Sequence, residues 1–158
     1  MSSAGGPRDR ALLAALADAD TVVFLCSGNM VRSAFADLYA RHLGVRKRVR
    51  SAATTYRNDR IFPETAAALL ARGVSQGEID RFRPTHVDDL VPELDGSVVF
   101  LGMRQHHLDA MYGWPEYRGK VFLLDHPREI ADPVLEGADF GETFGRLTEC
   151  VESLSDFL

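Results

Sequence analysis

Four short, mostly apolar runs alternate with segments of helical spacing along this chain. The runs are Val22–Leu25, Val49–Ala53, Val98–Leu101 and Val121–Leu124. Apolar and β-branched runs of this kind are typical of strands buried on both faces, and such strands form parallel sheets covered by helices. The alternation therefore predicts an α/β fold in which a four-stranded parallel sheet carries helices on both faces.

The segments around these runs are predicted to be helical. They are Arg8–Ala17, Ser33–Leu43, Phe62–Ala71, Val87–Leu94, Gln105–Tyr112 and Phe140–Leu158. In the last segment apolar residues recur every three or four positions, which indicates an amphipathic helix. The sequence contains no internal repeat and no domain boundary. We therefore expect a single domain over residues 21–158, preceded by an extension, residues 1–20, that is partly disordered or forms a short helix.

Charge, hydropathy and cysteine content narrow the functional classes. The net charge of −5 provides no basic surface for nucleic acid, and no apolar run approaches the ~20 residues of a membrane-spanning helix. The chain has two cysteines, Cys26 and Cys150, which do not make a disulfide framework and so indicate a reducing compartment. We expect a cytoplasmic protein without nucleic-acid or membrane partners. The five histidines show no metal-ligand spacing and are interpreted as packing or surface residues.

The connection between the first run and the helix after it carries the strongest functional signal. A loop that leads into a helix N-terminus directs backbone N–H groups inward and binds anions. Ligands of parallel sheets bind beyond the C-terminal ends of the strands, where this connection lies. We predict that it binds an oxyanion, and we call it the Cys26–Ser33 loop. Its members are Cys26, Ser27, Gly28, Asn29, Met30, Val31, Arg32 and Ser33.

The residue types of this loop suit nucleophilic attack on a phosphate monoester. Gly28 allows a tight turn, and Asn29 tolerates the left-handed backbone region better than most residues. The planar guanidinium of Arg32 can bind two phosphate oxygens. Ser33 can donate a hydrogen bond to Cys26 and stabilise its thiolate. Attack by that thiolate on phosphorus would give a thiophosphate, from which water would release phosphate.

The leaving oxygen needs a proton from a general acid outside the loop. Asp132, which precedes Pro133, is the candidate because it follows the fourth predicted strand and so lies at the same sheet edge. Asp-Pro pairs also occur in ordinary turns, so this pattern alone leaves a structural role open.

Taken together, these segments resemble the low-molecular-weight protein tyrosine phosphatase family. That family has a Cys-x5-Arg-Ser loop after an apolar strand, with Gly and Asn at the positions of Gly28 and Asn29. It also has a Ser-Ala-Gly/Ala-Thr strand end, matched by residues 51–54, and an Asp-Pro pair near the C-terminus, matched by Asp132 and Pro133. The resemblance extends over residues 21–158.

The resemblance implies a strand order of 2-1-3-4 and a site without metal or cofactor. It implies that Cys26 is the nucleophile, that Arg32 binds the phosphate and that Asp132 protonates the leaving group and then activates water. Asn29 and Ser51 would hydrogen-bond to hold the shape of the loop. The implied substrate is a phosphotyrosine protein or another aryl phosphate, and inorganic phosphate is the product.

Several positions depart from the family pattern. Many members have a second cysteine where this chain has Val31, so no resolving thiol adjoins Cys26. Many have an aromatic residue after Asp-Pro, where this chain has Val134, and we expect Tyr56 to supply an aromatic wall instead. Phosphoarginine phosphatases of the family prefer threonine at the position of Met30, which favours an aryl phosphate here.

A further departure follows the third strand, where the family usually has an acidic residue and this chain has Gly102, Met103 and Arg104. Two other functions remain open on this scaffold. An arsenate reductase would need a relay of later cysteines, of which the chain offers Cys150. A catalytically weak phosphate-binding or scaffold protein is the other alternative. The intact set of Cys26, Arg32 and Asp132 favours a phosphatase.

Overall fold

The predicted strands form one parallel sheet in the order β2-β1-β3-β4. The computed structural model describes residues 7–158, and its strands are β1 (Thr21–Cys26), β2 (Arg48–Ala53), β3 (Val98–Gly102) and β4 (Val121–Leu123). Every residue of β1 and β3 is buried, as expected for strands covered on both faces. The predicted fold class and strand order are confirmed.

Seven α-helices occur among the described residues. They are α1 (Pro7–Ala17), α2 (Arg32–His42), α3 (Pro63–Ala71), α4 (Gln76–Arg81), α5 (Val87–Leu90), α6 (Gln105–Asp109) and α7 (Phe140–Leu154). Short 3₁₀ turns lie between α5 and β3, between α6 and β4 and at the C-terminus, at Val91–Glu93, Ala110–Gly113, Pro115–Tyr117 and Ser155–Phe157. None of the helices described here is long and apolar enough to cross a bilayer.

The larger core lies on one face of the sheet. Val22, Phe24 and Cys26 alternate along β1 and point to this face, where α1, α2, α3 and α7 pack. Phe35 of α2 contacts Phe144 of α7 with ring centroids 4.9 Å apart, so an aromatic contact joins these two helices.

The smaller core lies on the opposite face. Val23 and Leu25 of β1 point there and pack against Leu90 of α5 and Met111 of the 3₁₀ turn after α6. Phe100 of β3 and Tyr117 meet edge to face, with ring centroids 4.8 Å apart. The sheet is therefore covered on both faces, and its C-terminal edge is left to the loops that form the site.

Several helices differ from their predicted extents. The helix predicted over Gln105–Tyr112 ends at Asp109, and a 3₁₀ turn follows it. Helix α4, which was not predicted, is short and begins at Ser75, whose side chain accepts a hydrogen bond from Glu78 N. The helix predicted over Val87–Leu94 ends at Leu90 and continues as a 3₁₀ turn, because Pro92 has no N–H to donate. The last helix ends at Leu154, and one 3₁₀ turn follows it.

Part of the N-terminal extension is helical and packs on the larger core. Leu12 and Leu16 of α1 are fully buried there. The extension over residues 1–20 was expected to be partly disordered or to form a short helix, and its residues 1–6 lie outside the described part of the chain.

Candidate active site

The Cys26–Ser33 loop connects the C-terminal end of β1 to the first turn of α2. Hydrogen bonds to its backbone carbonyls fix its outer side: Thr54 N donates to Cys26 O at 2.9 Å, and Tyr56 N donates to Ser27 O at 2.9 Å. Asn58 Nδ2 donates to Gly28 O at 3.0 Å. The segment after β2 thus donates hydrogen bonds to the carbonyl groups of the loop, whereas the backbone amides of Asn29 and Ser33 point toward the Cys26 sulfur.

Three donors lie around the Cys26 sulfur. Asn29 N is 3.3 Å from Sγ, Ser33 N is 3.4 Å away and Ser33 Oγ is 2.9 Å away. Asn29 Nδ2 donates to Ser33 Oγ at 2.8 Å, so the Ser33 hydroxyl is oriented to donate its own proton to the sulfur. This arrangement stabilises negative charge on Cys26, the charge that a nucleophilic thiolate carries.

Asn29 is the residue of the loop that adopts the left-handed backbone region, with φ of 56°. Its side chain is fully buried, and its Oδ1 accepts a hydrogen bond from Thr85 N at 2.9 Å. Gly28 is needed for a different reason, since a Cβ there would lie 2.9 Å from Asn58 Nδ2. The shape of the loop therefore depends on a residue that tolerates positive φ at Asn29 and on the absence of a side chain at Gly28.

Arg32 and Asp132 come together at the mouth of the loop. Arg32 is 1% exposed, and its Nη1 donates to Ile130 O at 2.7 Å, while its Nη2 lies 3.4 Å from Asp132 Oδ2. The other carboxylate oxygen, Asp132 Oδ1, accepts from Val134 N at 2.8 Å and from Leu135 N at 3.3 Å. The loop after β4 thus brings its carboxylate to the predicted phosphate site.

A cleft of about 380 Å³ opens above the loop. It is lined by residues of the Cys26–Ser33 loop, of the segment after β2 and of the segment around Asp132: Cys26, Gly28, Met30, Val31, Arg32, Tyr56, Arg57, Asn58, Asp132, Val134 and Leu135. Tyr56, in the segment after β2, is half exposed, and Val134 and Leu135, in the segment after Asp132, are exposed as well. The lining of the cleft therefore combines an aromatic and two aliphatic side chains.

The described residues contain no cluster of three or more His, Cys, Asp or Glu side chains that could hold a metal ion. The chemistry available in the cleft is that of a thiol, a guanidinium and a carboxyl group. These are the groups required for transfer of a phosphoryl group to sulfur and from sulfur to water.

The family model for low molecular weight phosphotyrosine protein phosphatase matches residues 21–158. The chain belongs to this family. The match includes the Cys26–Ser33 loop, the residues that line the cleft and the segment that carries Asp132. Among curated protein sequences, none matches this phosphatase-family chain.

Solved structures of similar fold come from several bacteria. The Erwinia amylovora tyrosine phosphatase AmsI has a TM-score of 0.73 and 22% identity, covering 89% of this chain and 93% of its own. Vibrio vulnificus Wzb in complex with benzylphosphonate has a TM-score of 0.73 and 18% identity, and the match covers 88% of this chain and 99% of that protein. The YwlE arginine phosphatase from Geobacillus stearothermophilus has a TM-score of 0.72 and 20% identity, and the match covers 86% of this chain and 90% of that protein. At these identities the likeness establishes the fold.

The family resemblance implies that Ser51 hydrogen-bonds to hold the shape of the Cys26–Ser33 loop, but its hydroxyl has another partner in the structure. Its hydroxyl donates to Asp37 Oδ2 at 2.5 Å, one turn into α2, whereas the Asn29 side chain is bonded to Ser33 and Thr85. Asp37 is buried, which raises the pKa of its carboxyl group, and the nearby guanidinium of Arg41 opposes that rise. The observed bond of Ser51 therefore supports the helix behind the loop rather than the loop itself.

His107 was interpreted from the sequence as a packing or surface residue, and the structure places it beneath the loop. It is fully buried, and its Nε2 lies 3.0 Å from Ser27 Oγ. Its Nδ1 accepts from Arg104 N at 2.9 Å and from Met103 N at 3.3 Å, so Nε2 carries the proton and donates to Ser27. The signal in the sequence was its position just after the third strand, at the edge where the site lies.

Burial, together with the nearby positive charge of Arg32, lowers the pKa of His107 to about 3. His107 is therefore neutral at physiological pH. A neutral ring with one fixed N–H is a directional donor, and it holds the Ser27 hydroxyl in one orientation under the Cys26–Ser33 loop.

Proposed function

We propose that this chain is a cysteine-dependent phosphate monoester hydrolase and that its substrates are phosphotyrosine proteins or other aryl phosphates. The observation that carries the proposal is the convergence of three donors on Cys26 Sγ in a cleft shared with Arg32 and Asp132. Membership of the phosphatase family supports it.

In the first step, the Cys26 thiolate attacks phosphorus, so that an S–P bond forms and the P–O bond to the leaving group breaks. The phosphate oxygens are bound by loop amides and by the guanidinium of Arg32, which carry the negative charge of the transition state. Asp132 gives its proton to the leaving oxygen. Because Asp132 lies beside Arg32, the acid is near the phosphate that Arg32 would bind.

In the second step, water attacks the phosphorus of the thiophosphate. Asp132, now a carboxylate, accepts a proton from that water, the S–P bond breaks, and inorganic phosphate leaves. The electron pair of the broken bond returns to Cys26, where Ser33 and the amides of Asn29 and Ser33 stabilise the thiolate. The same contacts thus favour the nucleophile before the reaction and the leaving group at its end.

The lining of the cleft supports an aryl substrate. A phenyl ring on the bound phosphate would lie between Tyr56 and the aliphatic pair Val134 and Leu135. Met30 offers a thioether and no strong hydrogen-bond acceptor, so a guanidinium group would lose solvation there without a polar partner. We therefore propose phosphotyrosine rather than phosphoarginine.

We also propose a cytoplasmic setting. Cys26 and Cys150 are both free thiols in the structure. A reducing compartment keeps a nucleophilic thiol active, and the position adjoining Arg32 offers no second thiol to protect it.

The test is hydrolysis of p-nitrophenyl phosphate, a phosphotyrosine peptide and a phosphoarginine peptide. We expect turnover of the first two substrates, loss of turnover in Cys26→Ser, and a loss of roughly 100-fold or more in Asp132→Ala because proton transfer to the leaving group is removed. Cys150→Ser is the matched control and is expected to keep wild-type turnover, as is the enzyme in EDTA.

Two results would contradict the proposal. Turnover that persists in Cys26→Ser would refute the cysteine mechanism. Binding of inorganic phosphate without turnover of any substrate would favour the scaffold alternative, and consumption of thiol reductant that depends on arsenate would favour the reductase. Faster hydrolysis of the phosphoarginine peptide would reverse the substrate assignment.

A further inference from the structure

The segment that carries Asp132 is attached to the connection between β3 and α6 by charged side chains. Arg104 Nη1 donates to Glu136 Oε1. Glu136 Oε2 accepts from Asp132 N at 2.9 Å, and Glu136 N donates to Asp132 O at 2.9 Å. Glu136 therefore bonds to both backbone groups of Asp132, and Arg104 holds the Glu136 carboxylate that makes one of these bonds.

The same connection holds the segment at two further points. Arg104 Nη2 lies 3.5 Å from Glu129 Oε1, and Gln105 N donates to Glu129 Oε2 at 2.6 Å. Ile130 N donates to Met103 O at 2.8 Å. The short stretch after β3 thus determines where residues 129–136 lie at the edge of the sheet.

The position of the Asp132 carboxyl group follows the backbone that these contacts fix. Its Oδ1 accepts from the amides of Val134 and Leu135 within the same turn, so the carboxyl group moves with that turn. Its Oδ2 faces Arg32 at 3.4 Å. A shift of the turn would therefore change the distance from the acid to the leaving oxygen of a bound substrate.

The Arg104–Glu136 pair contributes little to the stability of the fold. The side chains are 29% and 39% exposed, and ion pairs in contact with solvent typically contribute about 0–1 kcal/mol. A displacement of about 1 Å in a catalytic group, by contrast, can lower a rate by about 100-fold. The consequence of this pair is therefore expected in the rate of proton transfer.

We propose that Arg104 is a positioning residue for Asp132 and acts through Glu136. The inference rests on the proposed function, in which Asp132 is the general acid. Arg104 stands after the third strand, where the sequence departs from the family pattern, and its two carboxylate partners, Glu129 and Glu136, lie on either side of Asp132.

The experiment compares two substrates that differ in their need for an acid. Phenyl phosphate has a poor leaving group that must be protonated, whereas 2,4-dinitrophenyl phosphate has a leaving group that departs as an anion. The value of kcat/KM covers the steps up to phosphorylation of Cys26, so it reports the first proton transfer and not the later hydrolysis. For Arg104→Gln and Glu136→Gln we expect kcat/KM to fall about tenfold or more for phenyl phosphate and less than about threefold for 2,4-dinitrophenyl phosphate.

The control is Arg48→Gln, which removes another solvent-exposed arginine pair, with Asp95, at the N-terminal end of β2. We expect it to leave both substrates unaffected. Arg104→Lys keeps the positive charge and is expected to restore part of the phenyl phosphate activity. In an Asp132→Asn background, Arg104→Gln is expected to have no further effect, because the group it positions is already inactive.

The outcomes separate the two proposals. Equal losses on both substrates, or a loss in Arg104→Gln no larger than in Arg48→Gln, would overturn the positioning role while leaving the phosphatase intact. An additive loss in the Asp132→Asn background would overturn it as well. If the wild-type chain hydrolyses neither substrate, the proposed function fails, and this inference fails with it.

Discussion

At the scale of single residues, Asn29, Ser33 and Cys26 form a chain of hydrogen bonds with one direction. Asn29 Nδ2 donates to Ser33, and Ser33 in turn donates to the sulfur. Asn29 and Ser33 are fully buried, so the bond between them is shielded from water. The left-handed backbone of Asn29 costs about 1 kcal/mol, and the bonds of its side chain to Ser33 and Thr85 offset that cost.

His107 makes the fold sensitive to acid. Its pKa is lowered from 6.5 to about 3, so between these values the unfolded chain binds a proton that the folded chain does not. Stability is therefore lost as pH falls from 6.5 toward 3. For this group alone we expect a loss of about 2 kcal/mol at pH 5 relative to pH 7.5, measured by urea unfolding.

The matched variants are His107→Asn and His42→Asn. An asparagine at position 107 does not titrate and can still accept from the backbone, so the loss between pH 7.5 and pH 5 is expected to shrink. His42 is exposed at the end of α2, and its replacement is expected to leave the loss unchanged. An undiminished pH dependence in His107→Asn would show that the acid sensitivity has another source.

Sequence reasoning reached some residues of the site and missed others for a physical reason. Cys26, Arg32 and Ser33 occupy one short loop, where spacing along the chain reports spacing in the fold. His107 and Ser27 are 80 positions apart, and their contact exists because β1 and β3 are neighbours in the sheet. No local pattern carries that information.

At the scale of elements, α1 behaves as part of the domain. Leu12 and Leu16 are fully buried against the larger core, although the family match begins at residue 21. We expect Leu16→Ala to lower the free energy of unfolding by about 2–5 kcal/mol, as the loss of a fully buried leucine side chain does. Urea unfolding at pH 7.5 measures the change.

Leu13 provides the comparison on the same helix. It is partly buried, so Leu13→Ala is expected to cost clearly less than Leu16→Ala. If the two variants are equally stable, or if Leu16→Ala unfolds like the wild type, α1 does not pack on the core in solution.

Among the helices, the long one with strong periodicity was predicted well, whereas a short one was missed. The apolar spacing of α7 identified the helix over most of its length. Helix α4 has six residues, fewer than two turns, and one buried side chain, Ile79, so it leaves no periodic pattern. Its existence depends on the Ser75 cap and on packing by residues distant in sequence, neither of which a window of sequence weighs.

At the scale of the whole molecule, the two thiols have different environments. Cys26 lies at the cleft, whereas Cys150 is buried on α7. Burial, together with the nearby carboxylate of Asp125, raises the pKa of Cys150 to about 12. Since the thiolate is the reactive form, Cys150 is expected to be inert in the native fold.

We expect iodoacetamide to label Cys26 in the native protein and both cysteines in urea. Peroxide is expected to oxidise Cys26 without forming a Cys26–Cys150 disulfide, because no neighbouring thiol is available to resolve it. Peptide mass spectrometry measures both results, with Cys26→Ser as the control. A Cys26–Cys150 disulfide in the native protein would contradict the expectation and would revive the reductase alternative.

The bond from Arg32 Nη1 to Ile130 O has a consequence for the entropy of ligand binding. An arginine side chain has about 2 kcal/mol of rotamer entropy to lose when it becomes fixed. Here the side chain is ordered by folding, since it is buried and anchored to the backbone carbonyl. An arriving anion therefore meets a guanidinium that is already immobile, and preorganisation of this kind favours the product anion as well as the substrate.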